Sequence, residues 1–259
     1  MQDTIAMGGG ETQLTNAPMS EDERRLRTEL AACYRLAQRY GWDELIYNHI
    51  SARVPGPDHH FLINPFGLAF EEVAASNLVK VDLDGRIIGD SKFPINAAGF
   101  TIHSAIHAAR PDAGCVIHLH TEAGMALSML EEGLLPLTQT AMFFQGRIAF
   151  HDYEGIALDL DERERLVRDL GDKSVMILRN HGTLVASKTV GEAFVTMFLL
   201  EKAARAQLQA MACGGRLAQP SPKAVDVTAQ FAKSAGGAAE YAWQAMLRRL
   251  DREDTSYRN

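Results

Sequence analysis

The five-residue run Val116-Ile117-His118-Leu119-His120 constrains the fold of this chain more than any other stretch. Its apolar members favour a buried strand, because such side chains fit a covered, pleated surface. Side chains alternate between the two faces of a strand, so His118 and His120 share one face. Two imidazoles at this spacing can bind one metal ion. The run therefore predicts a buried strand that carries a pair of metal ligands.

A third histidine follows another strand-like run. Val175–Leu178 is apolar throughout and leads into Arg179-Asn180-His181-Gly182. We predict that His118, His120 and His181 form a three-histidine metal site. The alternative is that they are three unrelated histidines, each with a structural role.

Composition limits the class of protein. The 259 residues are 46% hydrophobic and 23% charged, which is typical of a soluble globular chain with a substantial core. A formal charge of −7 argues against nucleic acid or an anionic membrane as a partner. Neither a secretory signal nor an apolar run of about 18 to 20 residues is present, so we expect a cytoplasmic protein. The widely spaced Cys33, Cys115 and Cys213 are expected to be buried free thiols.

The pattern of elements predicts one α/β domain. Ser20 and Glu23 form a capping-box signature for a first helix, and short strands with tight turns follow over residues 45–88. Helices are predicted at 97–109, 121–132, 161–170, 190–213 and 238–250, with 142–150 as a strand or a buried loop. We expect a mainly antiparallel central sheet with helices on both faces over 20–250, a flexible arm at 1–19, a frayed tail at 251–259, and a linker at Pro220-Ser221-Pro222.

Three motifs in one order carry a family resemblance. Arg110-Pro111-Asp112-Ala113, the Val116–His120 run and Asn180-His181-Gly182 together resemble the characteristic series of the class II aldolase/adducin family, over about residues 25–250. Tyr47-Asn48-His49-Ile50-Ser51 is similar to the family's early Gly-Asn-x-Ser loop. Asn64-Pro65-Phe66-Gly67 stands where many members have Thr-Pro-Ser-Gly.

The resemblance implies a fold, an assembly and a cofactor. The fold is a three-layer α/β/α sandwich, and the assembly is a cyclic homotetramer with sites between neighbouring subunits. His118, His120 and His181 would hold a divalent metal ion, which is zinc in the sugar-phosphate aldolases, with iron(II) or manganese as alternatives. There the metal stabilises the enediolate that is left when a carbon–carbon bond breaks.

The chain departs from the sugar-phosphate aldolases at one segment. Where they have Pro-Ser-Ser-Glu, this sequence has Asn96-Ala97-Ala98-Gly99. The serines that hold phosphate are thus alanines, and the aldolase glutamate is Gly99. A tyrosine that donates a proton in those enzymes falls near Thr140. These departures predict a divergent member whose substrate lacks a phosphate.

The resulting prediction is a metal-dependent lyase acting on a small carbonyl or 2-oxo-acid substrate. It would form a metal-stabilised enolate by retro-aldol cleavage or decarboxylation. His49 is the candidate catalytic residue, because imidazole can exchange a proton near neutral pH, and Asn64 and Gly99 are candidate substrate contacts. One alternative is a non-haem iron(II) oxygenase that oxidatively decarboxylates a 2-oxo or 2-hydroxy acid. Another is a non-enzymatic interaction domain like the adducin head, which retention of the histidines disfavours.

Further polar residues are open candidates. His103 and His107 lie one helical turn apart and either pair on a metal or pack beside the site and orient it. His151 and Glu154 are candidates for an added ligand or base. Tyr241 is a weaker candidate for an acid that reaches a neighbour's site, and His59-His60 are expected to be exposed.

Overall fold

A seven-stranded mixed sheet forms the middle layer of the molecule. The computed structural model describes residues 19–156, 161–234 and 237–259, so the predicted arm lies outside the described residues apart from Met19. The strands are β1 (His49–Arg53), β2 (Phe61–Ile63), β3 (Val79–Val81), β4 (Cys115–Leu119), β5 (Ile148–His151), β6 (Val175–Leu178) and β7 (Gly182–Ser187). Their order is β3-β2-β1-β4-β7-β6-β5. Only β5 and β6 pair in parallel among these strands, which confirms the predicted mainly antiparallel sheet.

Helices cover both faces of the sheet. They are α1 (Glu21–Arg39), α2 (Ala97–Ala109), α3 (Glu122–Ser128), α4 (Gln139–Met142), α5 (Glu162–Leu170), α6 (Val190–Ala212), α7 (Pro222–Ser234) and α8 (Ala238–Asp251). One buried apolar cluster joins α1, α6 and α8 to Ile117 and Val185. A second joins α2 and α5 to Val116 and Leu184. Because neighbouring residues of β4 belong to opposite clusters, the strand alternates as predicted and the fold is a three-layer α/β/α sandwich.

Side-chain caps explain where several helices begin. The Ser20 hydroxyl accepts a hydrogen bond from the Glu23 amide (3.1 Å), as the capping-box signature predicts. Asn96 caps α2, and its Oδ1 accepts from the amides of Ala98 and Gly99. The observed bounds of α2 equal the predicted ones.

Three segments differ from the sequence prediction. In the segment 142–150, Met142 ends α4, residues 143–147 form turns and residues 148–150 belong to β5. The helix predicted at 121–132 is shorter and ends at Ser128. The predicted linker at 220–222 instead leads into α7, since Pro222 occupies a first helical turn, where a missing amide hydrogen costs nothing.

The C-terminal residues pack against the body of the molecule, so the prediction of a frayed tail is wrong. Tyr257 is fully buried, and its carbonyl accepts from the Ala75 amide (2.9 Å). The Asn259 carbonyl accepts from the Ser76 amide (2.8 Å). A single aromatic residue in a short polar segment supplies this anchor, and a single residue produces no periodic pattern.

The cysteines divide between core and surface. Cys33 and Cys115 are buried as predicted, whereas Cys213 is exposed at the end of α6, contrary to prediction. Its thiol donates to the Gln209 carbonyl, one helical turn earlier (3.2 Å). Within the described ranges, no helix has the length and apolar content needed to cross a membrane.

The sheet topology brings several histidines together at the carboxyl end of the central strand β4. The carboxyl end of β4 meets the amino ends of β1 and β7, because both neighbours run antiparallel to it. His49 on β1 pairs directly with His118 on β4. Leu119 pairs with Thr183, just after the turn that carries His181. This end of β4 therefore brings together residues that are up to 132 positions apart in the chain.

Candidate metal centre

The three predicted metal ligands lie together at the carboxyl end of β4. The ring centroid of His118 is 4.8 Å from the centroids of His120 and His181, and the centroids of His120 and His181 are 4.6 Å apart. One ring nitrogen of each histidine lies within 4.8 Å of the other two. Over residues 19–156, 161–234 and 237–259, this is the one cluster of histidine, cysteine or carboxylate side chains close enough to hold a metal.

A tight turn positions His181. Asn180 has a left-handed φ of 56°, which asparagine tolerates better than most residues. A Cβ on Gly182 would lie 2.5 Å from the Leu119 carbonyl oxygen, so only glycine permits this approach of β7 to β4. The Asn180-His181-Gly182 motif thus places an imidazole directly beside the end of β4.

Hydrogen bonds fix the tautomers of the two strand histidines. His118 Nδ1 donates to the Thr183 carbonyl (3.1 Å), and His120 Nδ1 donates to Glu44 Oε2 (2.6 Å). A carbonyl and a carboxylate only accept, so each ring carries a proton on Nδ1, and Nε2 is the atom that a neutral ring offers to a metal. The two Nε2 atoms are 3.0 Å apart. Facing lone pairs at this distance repel each other, whereas a cation between them is stabilised, so the donor set fits a divalent metal.

Burial keeps the ligands neutral. It lowers the pKa of His118 well below the usual histidine value and lowers the pKa of His181 to about 4. The neighbouring His120 reinforces both shifts. Unprotonated imidazole is the form that binds metal, so both rings are ready to do so at neutral pH.

Glu44 is a part of the site that the sequence did not reveal. It lies in the loop after α1, 76 residues before the histidine it contacts. A carboxylate that accepts the outer N–H of a ligand histidine orients the ring and makes it a stronger donor to metal. No residue spacing relates Glu44 to His120, so this contact emerges only from the fold.

His49 fills the volume above Gly99. Its ring is buried beside His118, and a Cβ placed on Gly99 would lie 2.2 Å from His49 Cδ2. The position where the sugar-phosphate aldolases have a glutamate is thus covered by an imidazole. Burial lowers the pKa of His49 to about 4, although a hydrogen bond with Asn64 opposes the shift. His49 is neutral at physiological pH.

The two predicted substrate contacts both touch His49. Asn64 is buried, and its Oδ1 accepts from the Tyr34 hydroxyl (3.0 Å) and from His49 Nδ1 (3.3 Å). The proton on Nδ1 leaves His49 Nε2 as an acceptor. Gly99 lies under the ring itself. Asn64 and Gly99 therefore set the position and tautomer of His49.

His103 and His107 join a buried chain under the site. His107 Nδ1 donates to the Ala113 carbonyl (3.2 Å), so its Nε2 accepts from the Ser51 hydroxyl (2.7 Å). Ser51 in turn accepts from His103 Nδ1 (2.6 Å). Since both histidines bond to Ser51, the structure favours packing beside the site over pairing on a metal. The His103 ring centroid is 6.2 Å from that of His49.

The remaining candidate residues differ in exposure and in the residues that they contact. Tyr241 is 82% exposed on α8, and Glu154 pairs with Arg165. His59 is exposed as predicted, whereas His60 is half-buried. Tyr153 was not predicted, yet its ring centroid is 6.1 Å from that of His181. A cleft lined by His151, Tyr153 and His181 adjoins the three histidines.

Comparison with known proteins decides the family. The family model described as the class II aldolase and adducin N-terminal domain matches residues 28–208. The chain belongs to the class II aldolase/adducin family. This family member is 49% identical to a protein of Caulobacter vibrioides provisionally named an aldolase class 2 protein, over 98% of this chain and 99% of the other. It is 50% identical to rat alpha-adducin, over 74% of this chain and 26% of the adducin.

Solved structures of class II aldolase relatives share the fold. An aldolase II superfamily protein from Pseudomonas syringae is 51% identical, with a TM-score of 0.90 over 93% of this chain and 98% of the other. L-fuculose 1-phosphate aldolase from Glaciozyma antarctica is 30% identical, with a TM-score of 0.80 over 97% of this chain and the whole of that one. The family therefore includes a protein named as an enzyme that aligns with this chain over nearly its full length.

Proposed function

We propose that this class II aldolase family member is a divalent-metal-dependent lyase. Its substrate is a small carbonyl compound or 2-oxo acid without a phosphate, and its reaction is retro-aldol cleavage or decarboxylation through an enolate. The observation that carries the proposal is the pair of Nε2 atoms of His118 and His120, which lie 3.0 Å apart while the Thr183 carbonyl and Glu44 accept the Nδ1 protons. His181 completes the ligand set.

The metal and the chain have separate tasks. A divalent cation held by the three histidines, with zinc favoured by the family and iron or manganese as alternatives, supplies positive charge where an enolate oxygen develops negative charge. Three neutral ligands leave that charge uncompensated, which suits an anionic substrate. The chain fixes the ligand rings through Glu44 and the Thr183 carbonyl, and it places His49 beside them as a neutral hydrogen-bond acceptor.

The start of α2 supports a substrate without phosphate. Amides at a helix N-terminus are common phosphate ligands. Here Asn96 Oδ1 accepts from the amides of Ala98 (2.9 Å) and Gly99 (3.3 Å), so both are already bonded. Ala97 and Ala98 offer no hydroxyl to a phosphate. The helix start that the resemblance assigns to phosphate binding is therefore capped by its own residue.

We further propose a cytoplasmic cyclic homotetramer, on the basis of the family resemblance. Light scattering on the purified protein should report four times the 28.4 kDa mass of the chain. A stable monomer at micromolar concentration would contradict the assembly without touching the metal site, because all three histidines belong to one chain.

A metal analysis coupled to a substrate screen tests the function. Protein purified without chelator should contain about one ion per chain and should cleave or decarboxylate a 2-oxo acid without oxygen. Bound iron with oxygen consumption on addition of 2-oxo acids would replace the lyase by an iron(II) oxygenase. Protein that binds no metal even after incubation with zinc, manganese or iron(II) would overturn both and favour a binding role.

A further inference from the structure

His151 stands at the end of β5 with one ring nitrogen held and the other free. The residue is 3% exposed, and its Nδ1 donates to Asp169 Oδ2 on α5 at 2.7 Å. Its Nε2 is 3.5 Å from Glu162 Oε1. That separation is too long for a hydrogen bond, and among the described residues the buried Nε2 has no hydrogen-bond partner.

His151 lines the cleft beside the metal centre. Tyr153, Glu162 and the metal ligand His181 line the same cleft. The enclosed part of the cleft has room for roughly one water molecule. His151 and a metal ligand therefore border one cavity.

A carboxylate fixes the orientation of the His151 ring. Although burial opposes it, hydrogen bonds from His151 and Arg168 hold the pKa of Asp169 below its usual value, so this carboxylate is ionised and accepts the Nδ1 proton. Burial raises the pKa of Glu162, the second carboxyl group beside the ring. A ring fixed through Nδ1 to a carboxylate offers Nε2 as a proton acceptor of defined direction.

We propose that His151, oriented by Asp169, is the general acid–base residue of this site and acts on a substrate with a C–H bond next to a carbonyl. This assignment rests on the proposed lyase function and supplies the proton-transfer group that Gly99, in place of a glutamate, cannot provide. Neither the Arg-Pro-Asp-Ala motif nor the histidine cluster includes His151.

The proton transfer balances within the site. His151 Nε2 takes the proton from the carbon next to the carbonyl, and the C–H electron pair becomes the carbon–carbon π bond of the enolate. The carbonyl π pair moves onto oxygen, where the negative charge comes to rest. His151 becomes an imidazolium, whose charge Asp169 compensates. In the reverse step the Nε2–H of the imidazolium returns that proton to carbon. In retro-aldol cleavage Nε2 first takes the proton from the substrate hydroxyl, and in decarboxylation the proton comes from solvent.

The position of the ring proton can be read without any substrate. The nitrogen-15 spectrum of the histidine side chains, with His151→Asn used to assign the signal, reports which ring nitrogen carries a proton. The proposal predicts a proton on Nδ1, where Asp169 accepts it. A ring protonated on Nε2 alone would overturn it.

Hydrogen exchange of pyruvate tests the chemical role. Wild-type protein loaded with zinc or manganese should exchange the pyruvate methyl protons for deuterium in D₂O, as followed by proton NMR. His151→Asn should slow this exchange roughly 100- to 10,000-fold. Asp169→Asn should slow it as well, because the amide can donate to Nδ1 and so place the ring proton on Nε2. His59→Asn is the matched control, since His59 is exposed with a φ of 54° that asparagine adopts easily.

The outcomes separate the two proposals. Slow exchange in His151→Asn with unchanged metal content and unchanged affinity for oxalate, an enolate analogue, supports the acid–base role. Exchange at the wild-type rate in His151→Asn overturns that role and leaves the lyase function standing. Absence of exchange in metal-loaded wild type overturns the role of His151 on 2-oxo acids, and the lyase function fails separately if no cleavage or decarboxylation is found.

Discussion

At the scale of single residues, Gly99 and His49 compete for one volume. A Cβ on Gly99 would lie 2.2 Å from the His49 ring, so Gly99→Ala should destabilise the protein by roughly 1–3 kcal/mol. In a His49→Ala background the same change should stabilise it by up to about 1 kcal/mol, because Gly99 lies in α2 and alanine favours helix over glycine. Urea unfolding of the four proteins measures both values. An equal cost of Gly99→Ala in the two backgrounds would contradict the contact.

Glu44 offers a second test at this scale. Glu44→Ala removes the acceptor for His120 Nδ1 and should weaken metal binding roughly 10- to 100-fold. Glu44→Gln should have a smaller effect, since its amide oxygen still accepts the proton without a charge. Competition with a chromogenic chelator gives the affinities. Glu132→Ala, at an exposed position, is the control, and an equal loss in that variant would remove the specific role of Glu44.

At the scale of elements, Arg27 ties α1 to the segment before β3. Its guanidinium donates to the carbonyls of Ala75 (3.2 Å) and Leu78 (2.8 Å) and to Glu23 Oε1 (3.1 Å). Arg27→Met should cost about 3–5 kcal/mol of unfolding free energy, because among the described residues Glu23 then keeps only Lys80 as an ion-pair partner.

The control for this change is Arg25→Met on the same helix. The ion pair of Arg25 with Asp22 is exposed, so its loss should change the unfolding free energy by at most about 0.5 kcal/mol. Equal midpoints of denaturation for the two variants would show that the buried contacts of Arg27 do not stabilise the packing of α1.

Local patterns sufficed for the elements whose signals are short-range. The capping residue Ser20, the apolar strands and the helix bounds at 97–109 agree with the structure because each depends on residues within one or two turns. The three histidines were found because strand alternation and the family's motif order both single them out. The prediction of a frayed tail was wrong, since burial of Tyr257 depends on a surface formed by α1 and distant loops.

The site beyond the ligands was only partly predictable. The Glu44–His120 and His151–Asp169 contacts join residues that are 76 and 18 positions apart, without a periodic relation. His49, Asn64 and Gly99 were singled out through motif positions, but their mutual contact was not. The sequence predicts that glycine replaces the aldolase glutamate at position 99, whereas only the packing shows that the His49 imidazole lies over it.

At the scale of the whole molecule, buried neutral histidines make the fold sensitive to acid. Burial lowers the pKa of His49 to about 4 and of His107 to about 3, and it lowers those of His103 and His118 well below 6.5. In the unfolded chain these groups titrate near 6.5, so between pH 6.5 and 5 the unfolded state binds more protons than the folded state. The free energy of unfolding should fall as the pH falls through this window.

Each buried neutral histidine can lower the free energy of unfolding by up to about 1.4 kcal/mol for each pH unit of acidification in this window. The measurement is urea unfolding at several pH values with a chelator present, so that metal release does not add to the slope. His107→Asn should flatten the dependence. A wild-type stability that is constant from pH 6.5 to 5 would show that these rings are protonated in the folded protein.

The most direct test of the whole account is the metal content of the three-histidine site. Protein purified without chelator, and the His118→Ala, His120→Ala double variant, are analysed by inductively coupled plasma mass spectrometry after equilibration with zinc, manganese or iron(II). The account predicts about one ion per chain in the wild type and none in the double variant, with both proteins folded by circular dichroism. Full metal content in the double variant, or none in the wild type, would contradict it.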